Sequence, residues 1–135
     1  MCHRAGFYER AVKKCAVALP KAYPELLQST HGHRDAANTT RHVLVAHGYA
    51  EHSGRFEGLI NALLQAGYDV STYDHYGHGT SPGPRAKVDV GLLIKDHIAA
   101  RQQALHNSRC DELILFGHSM GGLISAASAL IYRKD

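Results

Sequence analysis

The chain has 135 residues, of which 44% are hydrophobic, a length and composition typical of one globular domain. The formal net charge is only +3 and no run of five or six like charges occurs, so nucleic-acid binding has no support. Apolar stretches such as Cys15–Leu19 are too short to span a bilayer or to form the core of a signal peptide. The odd number of cysteines, three, fits a reducing compartment better than a disulfide framework, so we expect a cytoplasmic protein.

Residues 1–41 carry weak signals. Apolar residues at helical spacing predict a short amphipathic helix from about Phe7 to Leu19, namely Phe7, Tyr8, Ala11, Val12 and Cys15. Pro20 ends this helix, and Tyr23–Gln28 predicts a second helical turn. The polar stretch Ser29–Arg41 predicts a loop, and no clear strand pair is visible before residue 42.

From residue 42 onward the pattern becomes regular. His42–Ala46 predicts a strand, and its uniformly apolar character indicates burial on both faces. A helix follows, with Ser53 as its N-cap and Gly67 as its stop. Its apolar side chains form a single stripe, made of Phe56, Leu59, Ile60, Leu63 and Leu64.

Strands and helices then alternate to the end of the chain. A second strand is predicted over Asp69–Asp74, followed by the glycine-rich loop Gly77–Pro84 and a helix over about Val90–His106. Leu113–Phe116 predicts a third strand, and a helix-compatible run follows Ser119. This alternation predicts an α/β fold, with a parallel sheet, right-handed crossovers and helices on both faces.

The third strand runs directly into Gly117-His118-Ser119-Met120-Gly121. This G-x-S-x-G pattern between a strand and a helix is typical of a nucleophile elbow. The residues two before and two after the serine nearly collide, so both are expected to lack a Cβ. The helix that begins after the serine directs its free N–H groups towards an oxyanion. The alternative is a glycine-rich structural turn.

Eleven histidines are unusually many. His31 with His33, and His75 with His78, have spacings that a metal could use, but no H-E-x-x-H, C-x-x-C or acidic loop accompanies them. We therefore predict no metal site and no cofactor. Most of the histidines are interpreted as solvated or hydrogen-bonded loop residues.

Three segments together carry a family resemblance. They are His47–Phe56 (HGYAEHSGRF), Asp74–Ser81 (DHYGHGTS) and Gly117–Gly122 (GHSMGG). In this order they resemble the monoacylglycerol lipase and lysophospholipase-like, serine aminopeptidase S33-type branch of the α/β-hydrolases. The resemblance covers about residues 42–132, whereas residues 1–41 do not match the family's opening strands.

The resemblance implies a serine hydrolase of lipid esters, either monoacylglycerols or lysophospholipids, acting through an acyl-enzyme on Ser119. The backbone N–H groups of Tyr49 and Met120 would form the oxyanion hole. Support for the elbow and the preceding loop is assigned to His47, Gly48, Gly117, His118 and Gly121. The partners implied are a small lipid ester and, transiently, a membrane surface.

Several neighbouring residues are expected to be structural. Glu51 and Arg55 are expected to brace their loop by pairing with each other rather than by contacting substrate. Asp74 and His78 are expected to act as loop scaffolding. His118 is expected to point away from the nucleophile and to pack under the elbow.

The chain departs from the family at the catalytic triad. In this fold the acid and then the histidine follow the serine along the chain. After Ser119 there is no histidine, and the one acidic residue is Asp135. We therefore expect residues 42–135 to be the N-terminal half of an α/β-hydrolase domain, inactive alone, with the later strands and the lid absent. His47 lies on the oxyanion side and is not expected to replace the base.

This expectation has a structural consequence and two functional alternatives. Without a further strand beside it, the elbow strand becomes an exposed apolar edge that permits self-association. One alternative function is a non-catalytic lipid-binding remnant of the fold. The other is a hydrolase of another substrate class, such as an aminopeptidase, a haloperoxidase-like enzyme or a carbon–carbon hydrolase, because a fold does not determine chemistry.

Overall fold

The computed structural model describes residues 27–32 and 41–132. Within these ranges it contains four strands, a 3₁₀ turn over Ser53–Phe56 and three α-helices. The strands are β1 (Gln28–Thr30), β2 (His42–Ala46), β3 (Asp69–Tyr73) and β4 (Leu113–Gly117), and the helices are α1 (Glu57–Gln65), α2 (Val90–Asn107) and α3 (Met120–Ile131). The helix predicted over Phe7–Leu19 lies outside the described residues.

The strands form one sheet in the order β1-β3-β2-β4. The central strand β2 is parallel to β3 and to β4, whereas β1 is antiparallel to β3. Ala46 lies opposite Tyr73 in β3 and Gly117 in β4, so the three parallel strands end at the same level. The loops that follow them therefore meet at one end of the sheet, where ligands bind in open α/β sheets.

The two faces of the sheet bury different side chains. Val43 and Val45 of β2 pack, with Val70 of β3, against apolar residues of the 3₁₀ turn and α1. Leu44 and Ala46 point the other way and pack against Tyr73 and against Ala100 of α2. Because successive side chains of a strand alternate between faces, a fully apolar β2 requires cover on both. The prediction of helices on both faces is confirmed.

Helix α3 lies on the same face of the sheet as α2. The Arg101 guanidinium of α2 donates to the Ser128 carbonyl oxygen at 2.8 Å and to that of Tyr132 at 3.3 Å. These carbonyls lie at the carboxyl end of α3, where a cation is favoured by the helix dipole. Deeper between the helices, Ser125 Oγ and His97 Nε2 are 3.1 Å apart.

The helix boundaries agree with the sequence prediction except at one start. Helix α2 begins at Val90, and Asp89 caps it by accepting from the Leu92 N–H at 3.0 Å. Ser53 was predicted as the N-cap of the first helix, but it opens a 3₁₀ turn and α1 begins at Glu57. Ser53 bonds instead to Asp74, through its N–H at 2.8 Å and also through its side chain, so a tertiary contact uses the hydroxyl that would cap the helix.

The prediction of a loop from Ser29 and a helical turn up to Gln28 was wrong where β1 lies. This strand has no apolar alternation, so nothing in its own residues signals it. It exists because the free edge of β3 pairs with it, with Gln28 opposite Thr72. A contact of 2.6 Å between Ser29 Oγ and Ser71 Oγ adds to that pairing.

Only a helix that is long and apolar can cross a membrane. None of the helices within residues 27–32 and 41–132 is both long enough and apolar enough to cross a bilayer.

Candidate active site

Ser119 lies at the bend between β4 and α3. Its backbone adopts φ 54° and ψ −119°, a conformation that non-glycine residues rarely adopt and that stores strain at functional sites. A Cβ on Gly117 would collide with the backbone of Gly121 and Gly122. The bend therefore requires glycine on its strand side, as the sequence pattern indicates.

The start of α3 is pressed against the end of β2. A Cβ on Gly121 would collide with the carbonyl oxygens of Ala46 and His47. The His118 N–H donates to the Ala46 carbonyl at 3.1 Å, which ties the elbow to the same strand end. Ser119 itself is exposed at the surface of this junction.

Some backbone amides of the elbow and of the loop after β2 have no hydrogen-bond partner among the described residues. The amides of Gly121 and Gly122 are used in turns, to the carbonyls of His118 and Ser119 at 2.9 Å each. The N–H groups of Met120 and Tyr49 make no hydrogen bond within residues 27–32 and 41–132. Unpaired amides at a helix start are the donors that an anion can use. They are the two amides that the sequence predicted for an oxyanion hole.

Glu51 joins the loop after β2 to the elbow. Its Oε2 accepts from the Gly48 N–H at 2.8 Å and lies 3.0 Å from His118 Nδ1. The hydrogen bond from the Gly48 N–H, and next the one from His118, lower the pKa of Glu51. Glu51 therefore braces the loop as expected, but through Gly48 and His118 rather than through Arg55.

The prediction that His118 packs under the elbow was wrong. Its side chain is 54% exposed and contacts Glu51 instead of packing under the elbow. Its ring centroid lies 5.9 Å from that of Phe56. The space beneath the elbow is taken by the strand-end backbone against which Gly121 packs, so the side chain at position 118 points to the surface.

His47 is fully buried and both of its ring nitrogens have partners. Nδ1 donates to the Gly48 carbonyl at 2.7 Å, and Nε2 accepts from the His75 N–H at 2.9 Å. This pattern fixes the neutral tautomer with the proton on Nδ1. Burial lowers the pKa of His47, although the bond to the Gly48 carbonyl opposes this. A ring held in this way orders the loop.

His75 and Asp74 connect the loop after β3 to the same region. His75 Nε2 donates to the His47 carbonyl at 2.8 Å, and burial lowers the pKa of His75 to about 4. Asp74 accepts from the amides of Ser53 and Thr80 at 2.8 and 2.9 Å. Burial alone would raise the pKa of Asp74, but these two bonds lower it. Asp74 thus has the scaffolding position that the sequence predicted.

The interpretation of most histidines as solvated or hydrogen-bonded loop residues was wrong for His42 and His97, which are buried within a strand and a helix. It agrees with His47, His75 and His78, which are buried loop residues with hydrogen bonds. Sequence reasoning missed the role of His75, although it lies inside the D-H-Y-G-H-G segment. No group of three His, Cys, Asp or Glu residues in the described part of the chain has the arrangement of a metal site.

Comparison with known proteins shows which family this chain matches. Residues 37–135 match the family model of the serine aminopeptidases, S33. Human monoglyceride lipase is 37% identical over 91 residues, covering 64% of this chain and 29% of that protein. The monoacylglycerol lipase of Mycolicibacterium smegmatis is 37% identical over 94 residues, covering 69% and 34%.

A solved structure extends the likeness to three dimensions. The monoacylglycerol lipase of Paleococcus ferrophilus is 35% identical with a TM-score of 0.59, covering 76% of this chain and 37% of that one. The chain therefore spans about a third of the length of the relatives that it matches.

Proposed function

The chain belongs to the serine aminopeptidase S33 family of α/β-hydrolases, and on that premise we propose that it is the nucleophile-bearing part of a lipid-ester hydrolase. Residues 42–135 would form the N-terminal half of the catalytic domain. Monoacylglycerols and lysophospholipids are the proposed substrates. The similarity to monoglyceride lipases supports this substrate class.

One observation carries the proposal. Ser119 is held in a strained bend, and the amides of Tyr49 and Met120 have no hydrogen-bond partner in the described residues. The Glu51 carboxylate ties their two segments together through Gly48 and His118. A nucleophile flanked by preorganised backbone donors is the arrangement that acyl transfer requires.

The proposed reaction has two steps. Ser119 Oγ bonds to the ester carbonyl carbon while the amides of Tyr49 and Met120 stabilise the negative oxygen. The carbon–oxygen bond to the alcohol then breaks, and the alcohol leaves with the proton that Ser119 gave up. Water next attacks the acyl-enzyme and releases the fatty acid.

The proton transfers need a base, which in this fold is a histidine that follows the nucleophile along the chain. After Ser119 the sequence contains no histidine and one acidic residue, Asp135. His47 cannot serve, since both of its ring nitrogens are already hydrogen-bonded. Loss of the base in a serine hydrolase lowers turnover by about 10⁶-fold. We therefore propose that these residues alone do not turn over esters.

A chimera provides the test. Residues 42–132 would replace the matching segment of human monoglyceride lipase, which supplies an acid and a histidine downstream. We expect the chimera to hydrolyse a monoacylglycerol and Ser119→Ala to abolish turnover, while the remote Ser108→Ala leaves it intact. A folded chimera without turnover, or one that keeps turnover after Ser119→Ala, would refute the proposal. Turnover by the unmodified 135-residue chain that Ser119→Ala abolishes would refute the proposed inactivity of the chain alone.

A substrate panel addresses the alternatives. A Variovorax paradoxus protein named as a putative carbamate hydrolase is also 34% identical over 88 residues, so other substrate classes stay open. If the chimera hydrolyses an amide faster than a monoglyceride or a lysophospholipid, another substrate class is favoured. Binding of lipid without turnover, unchanged by Ser119→Ala, would favour a non-catalytic remnant.

Location is part of the same proposal. We propose a cytoplasmic protein that meets its lipid substrate transiently at a membrane surface. The odd number of cysteines in the sequence, three, supports a reducing compartment.

A further inference from the structure

A group of polar side chains is buried between the end of β3 and helix α2. Tyr73 is the last residue of β3, and its ring centroid lies 5.2 Å from that of His75 and 6.1 Å from that of His97 in α2. Asp96 precedes His97 in the same helix. We call these four residues, Tyr73, His75, Asp96 and His97, the Tyr73 cluster.

Each member of the Tyr73 cluster has a buried polar atom without a hydrogen-bond partner among the described residues. The atoms are the Tyr73 hydroxyl, His75 Nδ1, Asp96 Oδ1 and His97 Nδ1. Six such side-chain atoms occur in residues 27–32 and 41–132, so four of them lie in this one cluster. An unpaired buried polar group lowers the ratio of folded to unfolded protein by roughly fivefold to a hundredfold. Four such groups in one place therefore indicate a polar ligand that satisfies them.

Two members of the cluster act on each other without a direct hydrogen bond. Burial raises the pKa of the Tyr73 hydroxyl well above its ordinary value, and the charge of the Asp96 carboxylate raises it further. Burial also raises the pKa of Asp96 to about 6, and no donor among the described residues lowers it again. Polar groups that interact electrostatically without bonding directly are suited to a bridging water molecule.

The donors and acceptors of the cluster fit water. His75 Nε2 donates to the His47 carbonyl, so His75 Nδ1 can only accept. The ionised Asp96 carboxylate also accepts, whereas the Tyr73 hydroxyl can donate. Water supplies two hydrogens for the acceptors and a lone pair for the donor. A metal ion is not suited, because no group of three His, Cys, Asp or Glu in the described part of the chain has the arrangement of a metal site.

We propose that the Tyr73 cluster binds ordered internal water, with the Tyr73 hydroxyl and the Asp96 carboxylate as its main partners and the two imidazoles beside them as further ones. Internal waters make about three hydrogen bonds to buried groups that are otherwise unpaired. The three rings of the cluster are at most 5% exposed, so a group at the surface of the fold cannot take the place of the water.

The bound water connects the loop after β3 to the helices behind it. His75 Nε2 donates to the carbonyl of His47, in the loop after β2, and His97 Nε2 lies 3.1 Å from Ser125 Oγ of α3. The Tyr73 cluster therefore lies on a polar connection from the loop after β2 to helix α3. The water site is independent of the proposed chemistry, because it does not involve Ser119.

The first test uses the sign of a change in stability. Tyr73→Phe removes only the hydroxyl. If this hydroxyl binds water, urea unfolding should show the ratio of folded to unfolded protein lowered by about fivefold, whereas the loss of an unpaired hydroxyl would raise the ratio. Tyr68→Phe is the matched control, because Tyr68 is half-buried and packs on the opposite face of the sheet. It should change the ratio by less than about twofold.

The second test counts the internal waters. Oxygen-17 relaxation dispersion measures long-lived waters, of which globular proteins hold about one per 27 residues, so several are expected in this chain. Tyr73→Phe should hold at least one fewer than the unchanged protein, and Tyr68→Phe should hold the same number. In the unchanged protein, nuclear Overhauser transfer should be detected between the Tyr73 ring protons and long-lived water. This last measurement does not depend on the folding of any variant.

A double substitution identifies the second partner. Asp96→Ala removes the acceptor, so in that background Tyr73→Phe should change the ratio of folded to unfolded protein by less than about twofold. An undiminished effect would overturn the role of the carboxylate. A Tyr73→Phe protein that is more stable than the unchanged chain, or an absence of Overhauser transfer, would overturn the water site. A fivefold loss with every long-lived water retained would overturn it too, in favour of a direct bond between Tyr73 and Asp96.

Discussion

The two edges of the sheet have opposite characters. At one edge, β1 is short, polar and antiparallel, and its three residues are exposed. At the other, β4 is apolar, uncharged and parallel to its one described neighbour. Natural outer edges are blunted by short or polar strands, so the β1 edge has the features of a true boundary and the β4 edge those of an interior strand.

The polar edge is also held by an ionic cluster around Asp69. Its carboxylate accepts from Arg109 Nε at 2.9 Å and from the Gly32 N–H at 2.8 Å, and it lies 3.2 Å from His31 Nδ1. Burial alone would raise the pKa of Asp69, yet Arg109 and then Gly32 lower it to about 2. The β4 edge has no comparable ion-pair cluster among the described residues. The predictions below test this contrast.

The largest loss of stability is expected at the polar edge. Asp69→Asn removes the charge that pairs with Arg109, whose side chain is 23% exposed, and should cost about 3–5 kcal/mol in the free energy of unfolding. Glu112→Gln is the control, because its contact with Arg41 is exposed and 3.9 Å long and should contribute at most about 1 kcal/mol. Urea unfolding measures both, and equal losses would contradict the assignment.

Acid should weaken the α2 and α3 side before it affects the polar edge. Burial lowers the pKa of His75 to about 4 and that of His97 to about 3, so both stay neutral in the folded state while their unfolded counterparts take up protons below about 6.5. Stability is therefore complete above pH 6.5 and falls as the pH drops towards these values. Between pH 7 and pH 5 we expect a net loss of roughly 2–3 kcal/mol.

Substitutions verify the source of this acid sensitivity. His97→Gln should reduce the slope of stability against pH by about one proton. Burial raises the pKa of Asp96 to about 6, so this carboxylate destabilises the fold above its unfolded pKa and its protonation partly offsets the loss in acid. Asp96→Asn should therefore stabilise the protein at pH 8 and make the loss in acid steeper. A pH-independent stability would contradict both expectations.

The next largest change in the free energy of unfolding is expected where α3 packs against β2. Gly121→Ala places a Cβ against the carbonyl oxygens of Ala46 and His47 and should cost about 2 kcal/mol. Gly58→Ala is the matched control, because a Cβ there meets nothing within 4 Å in helix α1, and it should gain about 0.5–1 kcal/mol. Thermal unfolding of both variants should shift in opposite directions.

The smallest effect concerns the side-chain contact that joins β1 to β3. Ser29→Ala removes the 2.6 Å contact with Ser71 Oγ and should cost about 1 kcal/mol. Gln28→Ala, at the exposed neighbouring position, should change stability by less than about 0.5 kcal/mol. Equal effects of the two substitutions would indicate that this contact adds nothing to the edge.

The same contrast explains what the sequence could predict. Apolar periodicity and glycine placement are local signals, and they predicted the strands β2, β3 and β4, the helix α2 and the elbow. The strand β1 could not be predicted, because its polar residues are ordered by β3 and by Asp69 rather than by their own pattern. The surface position of His118 also depended on a distant contact, with Glu51. Long-range polar contacts were therefore the missing information.

Asp69 lies at the amino end of β3, whereas Ser119 follows the carboxyl end of β4. Five-residue strands separate these two levels by roughly 13 Å. Loops around the serine can therefore accumulate substitutions during evolution without disturbing the charge cluster that anchors the first strand. This separation would allow related proteins to change their substrate specificity while keeping the charge cluster around Asp69.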